Sequence, residues 1–316
     1  MRAFITGATG FIGSALTKHL YQANFKIRAL TRNPSHPDVL NNTNYNWIAG
    51  DVTAPDGLLN ACDMIDVVFH AAGFAHASQQ GDLAFQKKHD QVNALATIAL
   101  AKAAADAGVK RFIFFSSIKA SKEASSRDPY AQAKYKAEQA LLEIGENTKM
   151  AVVILRLSLV YGVGWKGNLA ALLKAIDKNR IPPMPKINNR KSMVSVQDVC
   201  QASILAATMH LDKKRCFIIT DNIPYSTNVI DQLMRQALGK REVLWSTPKW
   251  LWYCLGAIGD LLEYISKRTW SINTEKIEKL FSNSWYDENK YAHVTGYAPQ
   301  YTLADVLPDI VSAYRA

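Results

Sequence analysis

The sequence predicts an α/β protein organised around a doubly wound parallel sheet, with a smaller C-terminal lobe. In the first half, short β-branched runs alternate with helical stretches, and a Gly-rich turn joins the first run directly to the first helix. After about residue 162 the alternation fails, and Pro182, Pro183 and Pro185 with Asn188 and Asn189 break the chain into a loop-rich region. Residues 1–160 are therefore expected to carry the sheet and residues 161–316 the lobe, with one strand returning to the sheet near 216–220.

Strands are expected over 2–6, 26–31, 45–49, 67–70, 111–116 and 151–155, and helices over 11–22, 58–62, 85–107 and 129–144. The first helix follows the glycine turn without a break. The last opens with Asp128 as its cap and Pro129 at the first helical position, where a missing N–H leaves no helical bond unmade. The Ala-rich stretch 94–107 reads as a helix packed tightly on the sheet. No internal repeat is visible.

Of the 316 residues, 48% are hydrophobic and 20% charged, so the chain can bury a sizeable core and is not disordered overall. Lys and Arg number 37 against 27 Asp and Glu, a net charge of +10 that points to an anionic partner: nucleic acid, a membrane surface or a phosphate-bearing small molecule. No nucleic-acid-binding module and no aromatic-basic interleaving accompanies the charge, so no nucleic-acid partner is expected. Cys62, Cys200, Cys216 and Cys254 have neither C-x-x-C nor metal-ligand spacing. No metal site is expected, and reduced thiols in the cytoplasm fit best. The opening MRAFITGATG shows no export signal.

The longest apolar stretch, residues 250–259, is too short to span a bilayer, so no transmembrane segment is expected. Its aromatic residues and the flanking Lys249, Lys267 and Arg268 also suit an interfacial anchor. A buried or interface-forming helix of the C-terminal lobe is the reading preferred on sequence.

Directly after the first strand stand Gly7, Ala8, Thr9, Gly10, Phe11, Ile12 and Gly13, a Gly-x-x-Gly-x-x-Gly run opening a helix. Glycines there allow a tight turn and close approach of backbone to a pyrophosphate, which then meets the positive end of the helix dipole. The run predicts dinucleotide binding. At the end of the second strand, where a carboxylate would hold the ribose hydroxyls of NAD, stands Arg32, whose guanidinium can pair with a 2′-phosphate. This favours NADP(H), with NAD(H) the alternative. Asp51, followed by Val52, suits a carboxylate hydrogen-bonded to the adenine amino group, and Ala71, Ala72 and Gly73 keep side chains small where backbone approaches the cofactor. His70 reads as a packed strand-end histidine and Asn93 as a buried polar pin between helix and sheet.

The chemistry rests on Ser116 and Ser117 at the end of the fifth strand and on Tyr130 and Lys134 in the next helix. Positions i and i+4 share a helical face, so the Lys134 ammonium is expected beside the Tyr130 phenol. A phenol of ordinary pKa near 10 is a poor base at neutral pH, and a neighbouring cation lowers that value. A serine hydroxyl at the strand end can then hold a reacting carbonyl or alcohol oxygen.

With the glycine run, these residues make the chain resemble the extended short-chain dehydrogenase/reductase family, that is, the NAD(P)-dependent epimerase/dehydratases, over nearly its whole length. The resemblance implies a Rossmann domain in the first half and a substrate-binding lobe in the second. It also implies Tyr130 as general acid/base, Lys134 as the residue lowering its pKa and holding the nicotinamide ribose, and Ser117 as the group orienting the substrate oxygen. The motifs Phe115-Ser116-Ser117-Ile118-Lys119-Ala120, Leu155-Arg156-Leu157-Ser158-Leu159-Val160-Tyr161-Gly162, Gly164-Trp165-Lys166-Gly167-Asn168 and Asn189-Arg190-Lys191-Ser192-Met193-Val194-Ser195-Val196-Gln197-Asp198 look like the branch acting on sugar nucleotides. There Asn168 and the pair Arg190/Lys191 would hold a substrate diphosphate, with Lys191 at a position usually occupied by arginine.

The function expected on this basis is NADP(H)-dependent 4-keto reduction of a nucleotide-diphosphate sugar. The alternatives are an NAD-dependent UDP-sugar 4-epimerase, a reductase of an apolar ketone or aldehyde with 245–252 lining its pocket, and a non-catalytic dinucleotide-binding protein. The resemblance also implies a homodimer formed through the helices 85–107 and 129–144. The net charge is concentrated in the stretch 166–191, which holds seven basic residues against Asp177 alone.

Overall fold

A computed structural model describes residues 1–74, 83–121, 128–209, 214–241, 245–266, 273–286 and 290–316. The chain divides into two compact units, one of residues 1–158, 196–219 and 288–298, the other of residues 159–195, 220–287 and 299–316.

In the first unit the chain runs β1 (Arg2–Thr6), α1 (Phe11–Gln22), β2 (Lys26–Thr31), α2 (Pro37–Asn41), β3 (Asn46–Ala49), α3 (Leu58–Cys62), β4 (Val67–His70) and α4 (Leu83–His89). A π-helical turn, Asp90–Leu95, leads into α5 (Ala96–Asp106), β5 (Arg111–Ser117), α6 (Pro129–Asn147) and β6 (Ala151–Leu157). The described strands form a seven-stranded sheet of order β3-β2-β1-β4-β5-β6-β9, in which every neighbouring pair is parallel. Its last member, β9 (Lys214–Ile219), is the returning strand expected near 216–220 and pairs with β6 from Val152↔Lys214 to Leu157↔Ile219. The strand order reverses between β1 and β4, and ligands of such sheets bind beyond the strand ends at that reversal.

One face of the sheet packs its core residues Phe4, Val68, Phe112, Phe114, Val152 and Ile154 against α3, α5 and α6. α1 packs with α8 (Val196–Thr208). The expected cap of α6 forms: the Tyr130 backbone N–H donates to Asp128 Oδ1 at 3.0 Å. The helix expected over 85–107 differs from the structure, because the π-turn interrupts it. Inserting a residue shifts the angular phase of everything after it, so a pattern read at constant period cannot reveal the break.

His70 is fully buried, with Nδ1 2.6 Å from Thr6 Oγ1 and Nε2 2.9 Å from Thr97 Oγ1. Thr97 in turn donates to the Asn93 carbonyl. This confirms the packed histidine expected from sequence: it ties β1, β4 and the long helical stretch together as a neutral ring, and desolvation pushes its pKa from 6.5 down to about 3.

The second unit pairs β7 (Leu159–Tyr161) in parallel with β8 (Met193–Ser195) and adds α7 (Asn168–Asp177), α9 (Thr227–Ala237), α10 (Lys249–Ser266), α11 (Thr274–Phe281) and α13 (Leu303–Arg315). The remaining helix, α12 (Lys290–Thr295), belongs to the first unit. In the second unit Asp221 accepts hydrogen bonds from the Tyr161 and Tyr225 hydroxyls, and the Tyr225 hydroxyl also accepts from the Leu303 N–H. Trp252 is buried and donates Nε1–H to Thr247 Oγ1, whereas Trp245 and Trp250 are 61% and 65% exposed. The stretch 245–252 therefore does not face inward as a block. That removes the observation behind an apolar pocket lined by it.

Because the unfolded chain protonates His70 below about pH 6.5 and the folded chain does not until about pH 3, this residue makes stability fall as pH drops through that window. By pH 5 the loss is about 2 kcal/mol, from 1.36 kcal/mol per pH unit. Urea denaturation between pH 4 and 7, roughly the range over which the ring titrates only when unfolded, should show that slope, and His70→Gln should flatten it.

Candidate active site

The first functional element is the turn between β1 and α1. Gly7 has φ +72°, and a Cβ there would lie 2.6 Å from Ala72 N and 2.7 Å from Ala71 C and O. A Cβ on Gly13 would lie 2.0 Å from Gly7 O. Both glycines are required by contact between backbones: the turn folds against the end of β4, and α1 starts against the turn. Gly10 precedes α1 with no side-chain cap, so the first amides of the helix are not spoken for by a neighbouring side chain. Phe11 and Ile12 stay half-exposed beside the turn. The arrangement fits a dinucleotide pyrophosphate on this chain's own geometry.

At the far end of β2, Arg32 is exposed. Asp51 Oδ1 accepts from both the N–H and the hydroxyl of Thr53, each at 2.9 Å, and these bonds, together with the charge of Arg32, hold its carboxyl below the usual carboxylate range. Val52 is buried. Arg32 thus stands within electrostatic reach of a carboxylate, so its charge is partly answered from within the chain. This weakens the argument from Arg32 to a 2′-phosphate, because that argument assumed no carboxylate nearby.

The second element is the cluster at the ends of β4 and β5. Lys134 is buried; its Nζ donates to the Phe115 carbonyl at 2.8 Å and lies 4.4 Å from the centroid of the Phe114 ring. Burial brings its pKa down to about 8, and Glu138, one turn further along α6, opposes that shift. Glu138 is itself buried and takes a forked pair of bonds from Arg156 of β6, at 3.0 Å from Nε and 2.6 Å from Nη2. A Cβ on Gly73 would come 3.8 Å from the Lys134 ammonium and 3.2 Å from Asn93 Oδ1, so the strip 71–73 borders the cluster.

Tyr130 is half-buried at the start of α6, with the Ser117 hydroxyl near enough to influence its phenol. Burial raises its pKa to about 12; the Ser117 hydroxyl pulls the other way, and the Asp128 charge adds to the rise. The neutral phenol is therefore the form at neutral pH. Its ring meets His89 edge-on at 5.9 Å, and His89 Nδ1 is 3.0 Å from Asn93 Nδ2. Asn93 binds both the N–H and the carbonyl of Phe74, each at 2.8 Å.

Ser117, Tyr130 and Lys134, together with the glycine turn and 71–73, lie in one unit. The expected lowering of the Tyr130 pKa by Lys134 is not what the structure shows: burial raises that pKa, and the Lys134 ammonium is engaged by the Phe115 carbonyl and the Phe114 ring. His89 and Glu138 went unremarked on sequence, and Arg156 entered only as a member of the 155–162 motif, without a role. The i, i+4, i+8 spacing of Tyr130, Lys134 and Glu138 is the signal that could have found Glu138.

In the second unit Asn168 is exposed at the first turn of α7, and Arg190 is exposed. Lys191 is buried, and its Nζ donates to the carbonyls of Lys279 and Ser282 at 3.0 and 3.1 Å. Of the expected basic pair, Lys191 is spent on fastening backbone, and Arg190 is the member that faces solvent. Asn189 beside it bonds Thr227 and the carbonyls of Leu280 and Ser282.

Residues 3–219 match the NAD dependent epimerase/dehydratase family, and the chain belongs to it. It is therefore an NAD(P)-dependent enzyme of the extended short-chain dehydrogenase/reductase type. Among individual proteins, it is 26% identical to the UDP-glucose 4-epimerase of Vibrio cholerae over 98% of this chain and 94% of that one. It is also 26% identical to a putative dihydroflavonol 4-reductase of Synechocystis sp., over 99% of this chain and 94% of that one. The solved structure of MoeE5 in complex with UDP-glucuronic acid and NAD superposes with a TM-score of 0.75 at 22% identity, covering 100% of this chain and 99% of that one, a likeness of fold.

Replacing Gly13 by Ala should push α1 off the turn, since a Cβ cannot sit 2.0 Å from a carbonyl oxygen. We expect a loss of stability of about 2 kcal/mol or more and at least a tenfold loss of dinucleotide affinity. Thermal unfolding and a fluorescence titration check the two separately.

Proposed function

We propose that this chain is a UDP-sugar 4-epimerase working with bound NAD. The observation that carries the reading is the Ser117–Tyr130–Lys134 cluster beside a dinucleotide-fitted glycine turn, in a chain whose full-length relatives include a UDP-glucose 4-epimerase. It replaces the NADP-dependent 4-keto reductase expected on sequence. That expectation leaned on Arg32, an exposed residue whose charge also reaches Asp51, whereas the similar MoeE5 structure holds NAD.

When bound, the nicotinamide accepts and returns a hydride at the sugar C4. The chain's own residues handle the proton and the geometry. Tyr130 takes the C4 hydroxyl proton as the alcohol is oxidised and returns it when the 4-keto sugar is reduced from its other face, so no net redox change remains. The neutral phenol that burial favours is the donor form; the Ser117 hydroxyl stabilises the phenolate in the acceptor form, and the role given to the Lys134 ammonium, positive below about pH 8 and one turn further along α6, is to add to it when the site is filled. Ser117 aligns the C4 oxygen with the phenol. In the second unit, Asn168 and Arg190 are assigned to the substrate diphosphate.

Three measurements test this. Tyr130→Phe should lower kcat by about 100-fold or more while the dinucleotide Kd stays within about threefold, and undiminished turnover removes the tyrosine from the chemistry. Turnover should also decline as pH rises through about 8, where Lys134 loses its charge; Lys134→Met should abolish that limb of the profile. Finally, NAD should bind at least tenfold more tightly than NADP, and UDP-sugar epimers should interconvert by NMR without stoichiometric consumption of NADH or NADPH. Stoichiometric NADPH oxidation would restore the reductase.

A further inference from the structure

Residues 250–259, expected in a buried or interface-forming helix, are buried only at Trp252, Gly256 and Gly259. They lie within α10, whose sides are distributed in the opposite way to a core helix. Its small residues face inward: Gly256 and Gly259 are buried, and a Cβ on Gly256 would meet Ile277 Cδ1 at 2.8 Å and the Thr274 backbone at about 3 Å, so α10 is seated directly on α11. Trp252 is buried with these glycines, but most other large apolar residues of α10 face solvent. Trp250, Ile258, Leu261, Tyr264 and Ile265 are 65%, 55%, 58%, 84% and 68% exposed, and Tyr253 joins them. With the exposed Cys254 and Ala257 bridging Tyr253 and Ile258, they form one ridge along the helix, about 22 Å long at 1.5 Å per residue. No charged side chain interrupts that ridge; Lys249 and Asp260 stand at its border.

Leaving such a ridge in water is unfavourable, and isolated exposed apolar side chains are a different matter from a contiguous strip of them. Its chemistry identifies the partner. Aromatic residues with a polar tip stand at the two ends, Trp250 and Tyr253 at one and Tyr264 at the other, with aliphatic Ile258 and Leu261 between them. Lys249 precedes the strip, its Nζ 5.7 Å from the Tyr253 ring centroid, and Lys267 and Arg268 follow α10 in the sequence. Amphipathic rings and cations bordering an apolar strip are what a helix lying in the headgroup layer of a bilayer needs. The chain's net charge of +10 suits an anionic lipid surface.

A second copy of the chain fits less well. The strip is a single helix face one or two side chains wide, and by itself it falls short of the roughly 20–30 residues a side of a stable protein interface. An interfacial helix has no such threshold, because the lipid supplies the rest of the contact. The helix cannot cross the bilayer, and among the described residues no helix is long and apolar enough to do so.

We propose that α10 is a membrane-surface helix that lays its Trp250–Ile265 ridge into the headgroup region of an anionic bilayer. The full-length protein is mixed with vesicles of phosphatidylcholine alone, or of phosphatidylcholine with phosphatidylglycerol, and pelleted. We expect it to sediment with the anionic vesicles at least tenfold more strongly than with the neutral ones, to be released as salt is raised, and to shift its tryptophan emission to the blue on binding. The double variant I258D/L261D should fold with unchanged dinucleotide affinity and lose vesicle binding; Trp250→Ala, a milder change, should weaken it severalfold. Failure of the wild-type protein to sediment with anionic vesicles, or equal sedimentation by a folded I258D/L261D, overturns the proposal. So does a wild-type dimer in analytical ultracentrifugation that I258D/L261D converts to a monomer, which would make the ridge a contact between copies. Vesicle binding does not depend on the identity of the sugar substrate, so it is judged separately from the epimerase reading.

Discussion

A positive charge inside a folded chain must be answered locally, and much of the first unit is arranged to answer the Lys134 ammonium. Removing an ion from water costs several kcal/mol unless bonds and opposite charge replace its hydration. The Phe115 carbonyl, the Phe114 ring and the Glu138 carboxylate do so, and Arg156 in turn satisfies Glu138. The chain of contacts runs from β5 through α6 to β6, so it fixes the helix against the two strands. That fixed helix is what puts Tyr130 beside the Ser117 hydroxyl.

The glycine turn obeys the same kind of constraint with sterics in place of charge. Gly7 lies so close to Ala71 and Ala72, and Gly13 to Gly7, that neither tolerates a side chain. The resulting surface, an uncapped helix start flanked by small residues, sits where the strand order reverses between β1 and β4. His70 stiffens that junction from beneath as a neutral ring bonded to two threonines. Binding surface and catalytic cluster therefore grow from adjacent strand ends of one sheet.

Much of this was legible beforehand. β1, β2, β4, α1 and α3 fall where hydrophobic pattern and punctuation put them, and α6 opens at its predicted cap. Short parallel strands and capped helices are specified by neighbours along the chain, so local rules reach them. The break of the 85–107 helix at Asp90–Leu95 was not legible, since it follows from how Asn93 and His89 meet Phe74. The same holds for Lys191. A lysine in a basic loop looks like a ligand for phosphate, and only the position of the Lys279 and Ser282 carbonyls shows it pinned.

The sequence by itself determined the class of sheet, the glycine turn and the Ser-Tyr-Lys set, because each is written in residue type and short spacing. Tertiary structure decided what each charge and apolar side faces. It set Asp51 within reach of Arg32, buried Lys134 over Glu138, and turned Gly256, Gly259 and Trp252 of α10 inward while leaving Trp250, Ile258, Leu261, Tyr264 and Ile265 outward. A sequence records that a helix has an apolar side; which side meets the core depends on the surfaces other segments bring to it, and here α11 receives the face of α10 that carries Gly256 and Trp252.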